Sequence, residues 1–171
     1  MTNCIEIKGL CKSYGDFALN NIDLTLPGGS ILGLIGENGA GKTTTIKCIL
    51  NLIRRDAGEI TLLGYDNLRE ERLAKQDVGV VLDECFFHDT LRPRDVGKIL
   101  APAYQNWDQG LFRDYLSKFG LPEKKFIKEF SRGMKMKLSL SAALAHQPKL
   151  LILDEATAGL DPVVRDEILD E

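Results

Sequence analysis

Ile5 and Ile7 alternate with Cys4, Glu6 and Lys8, and Ile22, Leu24 and Leu26 alternate with Asp23 and Thr25. A period of two puts successive side chains on opposite faces, so both stretches are expected to be antiparallel strands with one wet face. Pro27-Gly28-Gly29 then turns the chain. The run Ile31-Leu32-Gly33-Leu34-Ile35 lacks that alternation and reads as a buried parallel strand. Beyond it, Ile46, Ile49, Leu50 and Ile53 recur at i, i+3, i+4 and i+7, the stripe of an amphipathic helix. Arg54 to Gly58 reads as a turn, and Glu59 to Leu63 as another strand closed by Gly64.

From about Phe86 to Gln147 the pattern becomes helical. Val96, Ile99, Leu100, Ala103, Tyr104 and Trp107 keep a 3.6-residue stripe, which Pro102 should kink or split. Asp108 is a good N-cap for a helix carrying Leu111, Phe112, Tyr115, Leu116 and Phe119, and Gly120-Leu121-Pro122 should stop it. A further helix is expected from about Ser131 to His146, with Met134, Leu138, Ala142 and Ala145 along one side. Leu150-Leu151-Ile152-Leu153 is an apolar run that ends in Asp154-Glu155. No internal repeat or low-complexity tract interrupts this order.

Composition narrows the classes. With 171 residues and 44% hydrophobic content, the chain can bury one substantial core. A net charge of −3 gives no support for a nucleic-acid surface, so no nucleic-acid partner is expected. Cys4, Cys11, Cys48 and Cys85 show no C-x-x-C spacing, which fits reduced thiols in a cytosolic protein. Glu6 and Lys8 fall within the first ten residues, so a signal peptide is not expected. No apolar run approaches the roughly 20 residues that cross a bilayer. Any membrane role must come through a partner.

The chemistry concentrates at two places. Gly36-Glu37-Asn38-Gly39-Ala40-Gly41-Lys42-Thr43-Thr44 fits G-x-x-x-x-G-K-[ST], between an expected strand and an expected helix. Glycines let the backbone curl until its N–H groups point inward as an anion cradle, and the helix dipole favours the same charge. Lys42 can reach β- and γ-phosphates, and the Thr43 hydroxyl can ligate Mg2+. Asp154-Glu155 stands at the carboxyl end of an apolar strand, where ligands of open α/β sheets bind. Asp154 can hold Mg2+ opposite Thr43, and Glu155 is placed to polarise a water for attack on a γ-phosphate.

In that order these motifs resemble the ATP-binding domain of an ABC ATPase, most closely that of an ABC transporter. Walker A is Gly36 to Thr43, Walker B is Leu150 to Asp154, and Glu155 matches the family's catalytic glutamate. Phe130-Ser131-Arg132-Gly133-Met134 occupies the place of the signature Leu-Ser-Gly-Gly-Gln, and Ala158-Gly159-Leu160-Asp161 resembles the D-loop. Tyr14 sits where the family stacks an aromatic ring on adenine. The likeness runs from about Ile5 to the last residue. It implies an α/β fold: a P-loop NTPase core, an antiparallel β subdomain and an inserted helical subdomain at about 86–147. It also implies ATP and Mg2+ as cofactors, and a head-to-tail dimer with a second ATP-binding subunit. In that dimer Ser131 and Gly133 face the γ-phosphate held by the partner. A membrane permease is the implied further partner, received near Asp83 to Asp89, with the chain cytoplasmic and peripheral on the inner face of the cell membrane. Independently of the family, Ser131 opens a helix, where its hydroxyl and the following N–H groups make an anion site.

Departures from the family pattern carry expectations of their own. Arg132 replaces a signature glycine and Met134 its glutamine, Ala156 stands where many members have proline, and Asp83 holds the position of the Q-loop glutamine. Asp83 is expected in the metal shell or in coupling. The chain ends at Glu171, before the family's switch histidine, and His88 and His146 both precede Walker B. The chain is therefore expected to be a C-terminally incomplete ABC domain, truncated after the D-loop. Two rivals stand beside the transporter ATPase: a soluble ABC ATPase acting on DNA or ribosomes, and a nucleotide-binding module that does not hydrolyse.

Overall fold

The computed structural model describes residues 2–155, so Ala156, the stretch Ala158 to Asp161 and the residues after Pro162 lie outside the described residues. The chain divides into two compact units, Met1–Gln76 and Asp77–Glu171.

The first unit is built on β1 (Asn3–Tyr14) and β2 (Phe17–Pro27), a long antiparallel hairpin. β3 (Ala57–Leu62) pairs with the other side of β1, and the short β4 (Tyr65–Asp66) returns along β3, giving the order β2-β1-β3-β4. The alternation in the sequence is realised: Ile5 and Ile7 on β1, Leu26 on β2 and Ile60 and Leu62 on β3 are buried. Strict alternation past Ile7 would point Gly9 inward. A register irregularity between Ile7 and Leu10 brings Leu10 to the buried face instead. Gly58 closes the sheet there. Its φ is +94, and a Cβ on it would lie 2.4 Å from the Gly9 carbonyl oxygen.

α1 (Lys42–Ile49) buries Thr45, Ile46, Cys48 and Ile49. It ends before Ile53, so the apolar stripe outlasts the helix by about a turn. Its C-terminal carbonyls are capped from a distance by Asn67, which is 1% exposed. The Asn67 amide donates to the Cys48 and Ile49 carbonyls at 2.9 and 2.8 Å, and its Oδ1 accepts from Arg55 Nη1 at 2.6 Å. Arg55 Nε donates to the Gly58 carbonyl at 2.8 Å, so the α1–β3 turn is held by the same network. β3 starts at Ala57, earlier than the turn residues suggested, because Ala57 pairs with Cys11. A short helix, α2 (Glu71–Gln76), ends the unit.

One expectation fails here. Ile31 to Ile35 does not form a strand, and Ile31 and Ile35 are fully exposed at 102% and 97%. A central parallel strand exists only through hydrogen bonds to neighbours on its edges. No described strand pairs with this run, and apolar composition alone does not extend a segment interrupted by Gly33.

The second unit pairs β5 (Val78–Val81) with β6 (Leu150–Leu153) in parallel, Val78 opposite Leu150 and Val81 opposite Leu153. Between them lie α3 (Pro93–Leu100), α4 (Gln109–Lys118) and α5 (Arg132–Leu144). Pro102 splits the helical stripe: α3 stops at Leu100, and Tyr104 and Trp107 fall in the connection. The Asp108 carboxylate accepts from the Leu111 N–H at 2.9 Å and starts α4. Phe112 and Leu116 of α4 and Leu138 of α5 are buried in one core with Val81, Val96 and Ile127. Each contributes about 1.5–3 kcal/mol of apolar burial. The Trp107 ring tilts against Phe112 at 5.2 Å, and its Nε1 donates to Gln109 Oε1, so Trp107 is a packing residue.

Candidate functional site: a glycine loop, a capped helix and an acidic strand end

In the first unit the loop Gly36 to Gly41 leads directly into α1. Ala40 N–H donates to the Glu37 carbonyl at 3.1 Å, and Gly39 and Gly41 take φ +84 and +92. Gly41 is the helix N-cap, and its carbonyl accepts from Thr45 N–H at 2.8 Å and Thr45 Oγ1 at 2.9 Å. The Lys42 ammonium reaches back across the loop and donates to the carbonyls of Gly36 and Glu37, both at 2.9 Å. A flexible cation thus spans the mouth of a loop whose N–H groups can turn inward. The first turn of α1 carries no acid, so nothing on the helix opposes an incoming anion. Thr43 and Thr44 are half-buried in that turn.

Two residues unforeseen in the sequence support this loop. A Cβ on Gly41 would lie 2.5 Å from Leu19 Cδ2 and 2.8 Å from Phe17 Cζ. The β1–β2 hairpin therefore buttresses the loop at its tightest point. Phe17 is paired in register with Tyr14, which has 48% of its surface open. The alternation of Ile22, Leu24 and Leu26 is out of phase with Leu19, and nothing in the sequence marks its contact with Gly41.

In the second unit, Ser131 caps α5 and its Oγ accepts from Met134 N–H at 3.2 Å. A hydroxyl used as an acceptor keeps its own hydrogen to donate, so Ser131 can serve an anion while capping. Arg132 is exposed, and Gly133 is half-buried behind it. Lys135, one turn on, is paired with Asp89 at 2.7 Å, which holds the Asp89 carboxyl below the ordinary range. Arg132, Lys135, Asp83, Glu84 and Cys85 line a cavity of about 540 Å³.

Asp154 and Glu155 follow β6. Asp154 N–H donates to the Val81 carbonyl at 2.9 Å, so the carboxyl ends of β5 and β6 are tied together. Asp83, two residues beyond β5, therefore leaves the same sheet end as the acidic pair. Asp154 is 5% exposed, whereas Glu155 is exposed and left-handed at φ +48. A left-handed non-glycine residue at a strand end is uncommon, and it marks the point where the chain leaves the strand direction. Among the described residues no three His, Cys, Asp or Glu side chains converge as a metal centre. Mg2+ asks for less than such a cluster: one or two protein oxygens, completed by phosphates and water.

Residues 19–158 match the ABC transporter family. The chain belongs to that family. It is 37% identical over 173 residues to a linearmycin resistance ATP-binding protein of Bacillus subtilis, covering 97% of this chain and 55% of the relative. It is 35% identical over 167 residues to a lantibiotic transport ATP-binding protein of Streptococcus pyogenes, covering 96% of this chain and 71% of the relative. A solved ATP binding subunit of an ABC transporter superposes with a TM-score of 0.87 at 28% identity, over 98% of this chain and 72% of that one. The ABC ATPase architecture, an α/β P-loop NTPase fold with an antiparallel sheet, is thereby established. The chain spans about half the length of the linearmycin relative. Among the described residues no helix is long and apolar enough to cross a membrane.

Proposed function

We propose that this chain is the nucleotide-binding part of an ABC transporter, gripping ATP at Gly36 to Thr44 and hydrolysing it to ADP and phosphate. The single observation behind this reading is the loop itself: glycines in left-handed geometry, buttressed by Phe17 and Leu19 and spanned by the Lys42 ammonium. Lys42 bonds to loop carbonyls, and a triphosphate offers it stronger, charge-assisted acceptors. Tyr14 stacks on the base. Glu155 accepts hydrogen bonds from a water and orients it toward the γ-phosphorus, and Lys42 stabilises charge on the phosphate oxygens. Thr43, Asp154 and Asp83 would offer the oxygens that hold Mg2+, and the ion would supply charge neutralisation to the triphosphate.

Ser131 and Gly133 are offered to the nucleotide of a second ATP-binding subunit in a head-to-tail dimer. Relatives named for lantibiotic transport and linearmycin resistance favour a membrane permease as partner over DNA or ribosomes. The chain then works on the cytoplasmic face of the membrane. The helices at about 86–147 form the subdomain that meets the permease.

Titration of Mg-ATP and a phosphate-release assay test the reading together. Lys42→Ala should weaken ATP binding by about 10- to 100-fold, the cost of a charge-assisted contact. Glu155→Gln should keep ATP affinity and lose phosphate release. Unchanged affinity in the first variant would remove the basis of the proposal.

A further inference from the structure

Tyr14 is not a loose ring at a hairpin tip. The Lys12 ammonium lies 4.8 Å from its centroid, over one face. That ammonium is anchored on Asp56 Oδ1 at 2.8 Å, and the other oxygen of Asp56 accepts from Ser13 N–H at 2.7 Å. Asp56 N–H in turn donates to the Cys11 carbonyl at 2.9 Å. One residue of the α1–β3 turn thus holds three consecutive positions at the end of β1, those of Cys11, Lys12 and Ser13. The Lys12 side chain is only 14% exposed, so its cation is fixed in place.

We propose that Lys12 and Asp56 are positioning residues that make Tyr14 a one-faced stacking platform for the base of the bound nucleotide. The inference rests on the reading that Tyr14 stacks on adenine. A cation on one face blocks that side and draws electron density through the ring, so the electron-rich purine is received on the other. Because Asp56 neutralises Lys12, the device adds no net charge beside the triphosphate. Tyr14 stands in register with Phe17, whose ring abuts Gly41, so base and phosphate contacts are built on one hairpin. Hydrogen bonding to Lys12 and to Ser13 N–H holds the Asp56 carboxyl below its ordinary range.

The test compares ATP with inorganic tripolyphosphate, which offers the phosphates without a base, in binding titrations on the full chain. Lys12→Met removes the cation and keeps the stem. Asp56→Asn removes the anchor's charge but leaves an oxygen for Ser13 N–H. Each should weaken ATP binding by about two- to fivefold and leave tripolyphosphate binding unchanged, and Lys12→Arg should restore ATP affinity. Tyr14→Ala should cost ATP at least about fivefold. If Tyr14→Ala weakens ATP while Lys12→Met and Asp56→Asn do not, stacking stands and the clamp is overturned. If Tyr14→Ala changes nothing, the stacking reading fails and the clamp with it. Equal losses for ATP and tripolyphosphate would overturn the proposal by assigning the pair to the phosphate loop.

Discussion

Gly41 shows how little room the phosphate loop leaves for substitution. Its φ of +92 disfavours any side chain, and the first carbon of one would enter the space of Phe17 and Leu19. Gly41→Ala should therefore destabilise the first unit by about 2–4 kcal/mol, summing left-handed strain and overpacking, and lower its thermal midpoint. Leu19→Ala should cost less in the Gly41→Ala background than in the parent, because it removes the atom nearest the new methyl group without changing φ. Gly39, at φ +84 with open space around it, should tolerate alanine better than Gly41. The motif spacing was enough to find Gly41 and Lys42. The hydrophobic wall behind them belongs to a strand twenty-odd residues earlier and leaves no local mark.

The elements most faithfully announced by the sequence are those stabilised locally. Asp108 and Ser131 cap helices with bonds that span three residues, and Pro102 ends a helix by its own chemistry. The β1 and β2 alternation was readable because one face of each strand is buried. What stayed hidden depends on distant partners. Ile31 to Ile35 has a strand's composition but no described strand beside it, so its apolar run remains exposed. Asn67, an ordinary polar residue after β4, is the C-terminal cap of a helix 18 residues upstream. Replacing it with leucine should cost about 2–3 kcal/mol in denaturant unfolding, because two buried carbonyls and Arg55 lose their partner together. Asn67→Asp should also destabilise, since a carboxylate presents acceptors to the Cys48 and Ile49 carbonyls. A leucine variant as stable as the parent would contradict this account of how α1 is held.

Among the described residues, several surface carboxylates carry acid sensitivity. Asp56 with Lys12, Glu71 with Lys75 and Asp89 with Lys135 are all held below the ordinary range by their lysines, and Asp66 by the N–H groups of Arg69 and Leu68. A depressed folded value means that the stabilisation is present above the unfolded carboxylate range and is lost as pH falls through the folded one. The thermal midpoint should stay level from about pH 7 to 5 and drop below about pH 4. A drop centred above pH 6 would contradict this assignment. The claim on which the functional account turns is narrower: the glycine loop grips a triphosphate. Amide hydrogen exchange of the intact chain, with and without Mg-ATP, reads it most directly. The account predicts slowed exchange concentrated at Gly36 to Thr45 and abolished by Lys42→Met, whereas unchanged exchange at those amides under saturating nucleotide would contradict it.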